Sequence, residues 1–263
     1  MNLSTRRRLL KTGLASALVA ASGVPVTASP RRGGCLRLAI DAQAMPLFRL
    51  PAGCDPAFAH LATYAGVFET LVEIAPDGML RGELAEHWHG SPDARVWTFL
   101  LRDGVRFHDG APLIAEHAAR SLEAQRGSWA LRNVAGVKVT DRLVFQVELT
   151  TPDTGFPFIL GRPDFAILSG SGRSMPQGTG PYRVAQYRVE DRLIAERFEQ
   201  SHNAGVGHFS SVEVLSSGAI DVRVQMLRSG RVDALAESTP FLLPHLFSVS
   251  DIQSRRIKDA RYL

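Results

Sequence analysis

The chain is poor in the residues that cross-link a protein or commit it to a cofactor. It has two cysteines in 263 residues, Cys35 and Cys54. With no second pair nearby they do not make a zinc site, and sequence spacing leaves a disulfide between them open, because a bridge needs converging Cβ vectors. No stretch approaches the roughly 20 apolar residues that a membrane-crossing helix requires. The phosphate-binding Gly-Lys-Ser/Thr and the metalloprotease His-Glu-x-x-His are both absent, and neither Gly170-x-Gly172 nor Gly178-x-Gly180 completes a dinucleotide fingerprint. Ser174 lacks the glycine that follows the serine of a nucleophile elbow. These gaps argue against an enzyme and against a bound cofactor.

An excess of one charge is also missing. The formal charge is +4, but Arg6, Arg7, Arg8 and Lys11 fall in residues 1–28, which contain no acid. Setting those four aside leaves 26 basic against 26 acidic residues. A nucleic-acid partner therefore has no electrostatic footprint here.

What is present starts with that basic segment. Thr5-Arg6-Arg7-Arg8-Leu9-Leu10-Lys11 precedes a weakly apolar run from Gly13 to Gly23, and Val26-Thr27-Ala28 supplies small residues for cleavage. This is the order of a signal peptide over residues 1–28. Arg6 and Arg7 resemble the pair of a twin-arginine export signal, an address read by a receptor. The mature protein is expected in the periplasm. Cys35 lacks the upstream leucine of a lipoprotein signal, so no lipid anchor is expected.

Along the mature chain, Cys35 to Ile40 reads as a strand. Leu61, Ala65, Phe68, Leu71 and Val72 recur at helical spacing and predict a helix over 58–74. Gly82 to Trp88 is a short apolar cluster. Val96 to Leu101 reads as a strand, Asp103-Gly104 as a tight turn, and Val105 to Phe107 as a returning strand, before a second turn at Asp109-Gly110. A helix follows from Ile114 to Gln125. Strands are expected over 134–140, 142–149, 182–187, 193–198 and 212–215, and a helix over 219–227. The glycines Gly178 and Gly180 are read as supplying positive φ before Pro181. His87 and His89 alternate on one face and, with His108, form the nearest grouping of potential metal ligands. No cysteine or carboxylate spacing supports them, so no metal site is expected.

Several segments then match one family in order. They are Val67-Phe68-Glu69-Thr70-Leu71-Val72-Glu73, Pro76-Asp77-Gly78, Leu84-Ala85-Glu86 with Trp88, and the run from Trp97 to Gly110. Gly178-Thr179-Gly180-Pro181-Tyr182 and the stretch from Arg223 to Ala234 complete the set. On these residues the chain resembles the extracellular solute-binding proteins of the dipeptide, oligopeptide and nickel ABC-transporter family, family 5. The resemblance implies an α/β fold, the first lobe of a type II periplasmic-binding-protein architecture with an inserted α+β domain. It implies a first lobe from 29–55 and 178–263, an inserted domain over 56–177, and a second lobe missing from this chain. It further implies a monomer that takes a small peptide or a nickel chelate and delivers it to a membrane permease, without catalysis. Trp129 and Arg162 resemble the tryptophan and arginine with which the nickel branch contacts its chelate, a guanidinium being suited to carboxylates. Without a second lobe, binding is expected to be weak. The alternative is a non-transporting remnant or a repurposed protein-interaction module. One departure is local: Ile114 stands where the family usually places a capping Thr or Asn, which implies either a helix start elsewhere or an end less stable by about 1 kcal/mol.

Overall fold

Proline and aspartate set the first helix. Asp55 accepts a hydrogen bond from the Ala57 amide at 3.0 Å, and Pro56 occupies the first helical position, where its missing N–H costs nothing. This helix, α1 (Pro56–Tyr64), stops well short of residue 74. Gly66 breaks it at φ +70°, and the chain runs extended into a short strand, β2 (Val72–Ile74). The apolar spacing that predicts one long helix thus serves two elements. Phe68 and Leu71 are packed by tertiary neighbours after the helix has ended. The computed structural model describes residues 32–41, 55–169, 176–189 and 191–236. Arg6, Arg7 and the rest of the export signal lie outside the described residues, as does Cys54; Cys35 is an exposed free thiol.

Two main sheets carry the fold. The first has the order β11-β1-β10-β9-β8, from β1 (Cys35–Ile40), β8 (Tyr182–Arg188), β9 (Arg192–Arg197), β10 (Ser211–Ser216) and β11 (Ala234–Ala236). β1 pairs parallel with β10 and β11, while β8, β9 and β10 are antiparallel. Alternation divides β1 between two faces. Ile40 packs with Phe58, Leu61, Leu193 and Val214 under α1. Ala39 faces the other way, toward Leu215 and Val232 and the residues Met226 and Leu227 of α4 (Ile220–Arg228). Helices therefore cover both faces of a mixed sheet. Residues 56–67, placed by sequence in the inserted domain, contribute Phe58, Leu61, Ala62 and Val67 to this core.

The second sheet is antiparallel, with order β4-β5-β7-β6, from β4 (Ala85–Gly90), β5 (Val96–Leu101), β6 (Val134–Asp141) and β7 (Val144–Leu149). The cluster from Gly82 to Trp88 thus spans the end of one strand, Leu80–Gly82, and the start of another, β4. Phe99 and Phe145 stack at 5.3 Å on the buried face, where Phe107, Leu122, Phe156 and Ile167 join them beneath α2 (Ala115–Gln125) and the short α3 (Phe156–Ile159). The Asp103-Gly104 turn forms, with Gly104 at φ +78°, but Val105 to Phe107 does not return along β5. β5 is already paired on both sides, so this segment forms only an isolated Arg106–Pro112 bridge and tucks Val105 and Phe107 into the core. A two-stranded ribbon of β2 and β3 (Leu80–Gly82) completes the element list.

Ile114 is the N-cap of α2, as its position suggested, and its side chain makes no capping bond. Neighbours supply the missing acceptors. The Ala115 amide donates to the Arg142 carbonyl at 2.8 Å, and the Ile114 amide donates to His117 Nδ1 at 3.3 Å.

Candidate functional site

The sequence offered Trp129 and Arg162 as solute contacts, and the structure places each at a separate 3₁₀ turn. Trp129 opens a 3₁₀ turn (Trp129–Leu131) after α2, held by Ser128, whose hydroxyl accepts from the Leu131 amide at 3.4 Å. It is 76% exposed, the most open of the large apolar side chains among the described residues, so it is not a half-buried packing residue. The Arg132 guanidinium lies 4.3 Å from its ring centroid, within cation–π range. Arg162 immediately precedes a second 3₁₀ turn (Pro163–Phe165) and is half-buried. Its Nη2 and Nε donate to Asp164 Oδ2 at 2.7 and 3.2 Å. Burial raises the Asp164 carboxyl above its ordinary pKa, opposed by the Arg162 bond. The Gln125 side chain donates to the Asp164 carbonyl at 3.2 Å, joining the end of α2, just before Trp129, to the turn that carries Arg162. The Trp129 ring thus already carries the Arg132 guanidinium, and Arg162 is already paired with Asp164.

Sequence reasoning missed a buried polar junction between the two sheets. Gly178-Thr179-Gly180 passes directly against residues 66–68. A Cβ on Gly178 would sit 2.0 Å from the Val67 carbonyl oxygen, and one on Gly180 would sit 2.3 Å from that of Gly66. These glycines are required by close backbone approach, and neither has the positive φ expected of it. Between them Thr179, fully buried, donates to Glu69 Oε2 at 2.8 Å. His202 Nε2 lies 3.0 and 3.2 Å from the two oxygens of Glu69. His108 Nε2 meets the Gly180 carbonyl at 2.9 Å and so carries the proton on that nitrogen, while burial lowers its pKa and keeps the ring neutral. That contact commits His108 to the junction and separates it from His87 and His89. No three metal-ligating side chains are grouped among the described residues.

Beside this junction, Glu83 Oε2 lies 2.8 Å from the Thr70 amide and 2.7 Å from the Thr70 hydroxyl. The same hydroxyl is 2.8 Å from the Val72 carbonyl, and it has one hydrogen to give. Desolvation, followed by the nearby Glu69 carboxylate, pushes Glu83 up to about 7. A protonated Glu83 resolves the conflict by donating to Thr70 Oγ1 while Thr70 donates to Val72. The signal was in the sequence, as Glu69 and Glu83 within the Val67 to Leu84 stretch; Glu83 meets Thr70 only 13 residues away, but the partners of Glu69 come from over a hundred residues away.

The architecture places the chain in a class. The periplasmic binding protein DppA from Helicobacter pylori, solved with peptide STSA, superposes with a TM-score of 0.67 at 19% identity, covering 84% of this chain and 50% of that one. The fold thus resembles about half of that periplasmic-binding-protein architecture. Residues 80–262 match the family described as bacterial extracellular solute-binding proteins, family 5 Middle, and the chain belongs to that family. Among curated relatives, the nickel-binding periplasmic protein of Escherichia coli (strain K12) is 32% identical over 175 residues, 57% of this chain and 33% of that protein. The glutathione-binding protein GsiB of Salmonella paratyphi A is 25% identical over 178 residues, 62% of this chain and 35% of that protein. The chain therefore spans about a third of the length of these curated relatives. No helix among the described residues is long and apolar enough to cross a membrane.

Proposed function

We propose that this chain contributes part of the solute-capturing component of an ABC importer, binding a small peptide or a nickel chelate reversibly outside the cytoplasm. Family membership over residues 80–262 is the observation that carries this reading. The exposed Trp129 and the half-buried Arg162 support a ligand with an apolar face and carboxylates. Arg6 and Arg7 would direct export, and a membrane permease would receive the loaded protein. The lobe would comprise β1, β8 to β11 and, because of its packing, α1; the inserted domain would start near residue 68 and end near 177.

The test is a titration of the full chain with nickel–histidine and with di- and tetrapeptides, followed by tryptophan emission and calorimetry. One ligand class is expected to saturate, and Trp129→Ala or Arg162→Ala is expected to weaken it about tenfold or more, the usual scale for losing a central aromatic or charged contact. Saturation by neither class sinks the reading. Saturation untouched by both substitutions sinks the assignment of these two residues.

A further inference from the structure

The outer face of the four-stranded sheet carries a pair of side chains that solute capture leaves unused. β4 is an edge strand of its sheet, with β5 as its strand neighbour. His87, Trp88 and His89 lie opposite Leu100, Phe99 and Thr98 in regular register; the one irregularity in this pairing precedes His87. Phe99 is fully buried and Trp88 packs on the same core. Alternation along the strand then turns both His87 and His89 outward. Both are exposed, and neither imidazole has a hydrogen bond, ring contact or ion pair among the described residues.

Two positions apart on a strand corresponds to about 6.6 Å between Cα atoms. Rotation about χ1 and χ2 can bring one nitrogen of each ring to about 3 Å from the other, the separation that two adjacent ligands need when metal–nitrogen bonds are about 2.0–2.1 Å. The cross-strand neighbours Leu100 and Thr98 are uncharged, and the Thr98 hydroxyl is occupied by the Gln146 amide at 3.2 Å. No cation therefore faces the pair from the adjacent strand. We infer that His87 and His89 form a two-nitrogen site for a divalent first-row transition ion, with Cu(II) held more tightly than Ni(II), the order imidazole ligands follow. Water fills the remaining positions. Sequence discounted a metal here because no cysteine or carboxylate spacing supported the histidines; the structure commits His108 to the junction and leaves a bidentate pair. The inference does not rest on the solute reading.

Calorimetric titration of CuCl₂ and NiCl₂ into the untagged full chain, thiols alkylated so that Cys35 cannot compete, tests it. One equivalent is expected to bind, copper the tighter. His87→Ala and His89→Ala are each expected to weaken binding about tenfold or more, because the second imidazole otherwise acts at high effective concentration. Thermal unfolding of each variant should match the parent, since both side chains are exposed and unbonded. Undiminished binding in the double variant overturns the site, as does absence of binding in the parent.

Discussion

The two sheets of this protein are built on opposite plans. All four strands of the antiparallel sheet come from residues 85–149, and Phe99 stacked on Phe145 anchors the larger of the two main apolar clusters beneath it. The five-stranded sheet instead recruits β1, residues 35–40, to lie between strands at 211–216 and 234–236. Its fastening is correspondingly long-range: Arg37 donates to both carboxylate oxygens of Asp233, 196 residues away. Local pairings close short loops early, whereas distant parallel pairings must first overcome the entropy of bringing remote segments together. The comparison teaches that the antiparallel region can organise itself, while the mixed sheet depends on the rest of the chain being in place.

The most forceful way to break this comparison is to damage each core separately. All three tryptophans, Trp88, Trp97 and Trp129, belong to the four-stranded region, so their emission reports on it alone. Phe99→Ala is expected to cost about 3–5 kcal/mol, the range for emptying a buried aromatic site. It should lower the tryptophan-detected denaturant midpoint steeply. Val214→Ala, in the fully buried middle of β10, is expected to cost about 2 kcal/mol. It should shift the backbone circular-dichroism transition before the tryptophan one. Coincident shifts by both probes in both variants would mean that the sheets unfold as one, with the Glu69–Thr179–His202 junction transmitting the damage.

The next effect concerns that junction's neighbour. Glu83 is raised to about 7 against an ordinary value of 4.5. In the folded state its charged form is disfavoured, so the penalty is fully present above pH 7 and is relieved as pH falls from about 7 toward 4.5, where the folded protein takes up a proton that the unfolded chain does not. Glu83→Gln removes the penalty, and its amide oxygen can still accept from the Thr70 amide. Stability at pH 8 is expected to rise by about 1–3 kcal/mol, from the shift converted by linkage. The gain should vanish near pH 4.5. Parallel stability–pH curves for parent and variant would show that Glu83 stays charged.

Which parts of this arrangement could be read from the chain follows the range of each local signal and not the division between the sheets. β5, β6, β7 and α2, and equally β1, β8, β9, β10 and α4, were legible because alternation, turn residues and helical spacing are all short-range signals, whereas β4 was read only as an apolar cluster and β11 not at all. The helix expected over 58–74 failed because Phe68 and Leu71 carry helical spacing yet are packed by tertiary neighbours, Phe68 half-buried and Leu71 fully buried. Val105 to Phe107 looked like a returning strand because the turn before it was correctly recognised, but β7 and β4 already occupied both edges of β5. Gly178 and Gly180 were recognisable as necessary, though the reason, a carbonyl at van der Waals range, exists only once residues 66–67 are folded against them. Trp129 and Arg162 were singled out through resemblance. The link between their supporting turns, Gln125 to Asp164, is a tertiary bond that no local pattern encodes.

The smallest expected effect compares two helix starts that lack side-chain caps, one in each region. Ile114 before α2 and Ala219 before α4 both have extended backbone suited to a capping residue, and neither offers an oxygen. In the antiparallel region the loss is already compensated, since the Arg142 carbonyl takes the Ala115 amide. Replacing the half-buried Ile114 with serine also sacrifices apolar packing, so Ile114→Ser should leave stability unchanged or slightly lower. Ala219 is exposed, and serine there adds an acceptor for the second or third amide of α4 with nothing removed. Ala219→Ser is expected to gain about 0.5–1 kcal/mol, read as a raised denaturant midpoint. Equal gains at the two positions would contradict the view that the local region had already solved its capping problem while the long-range region had not.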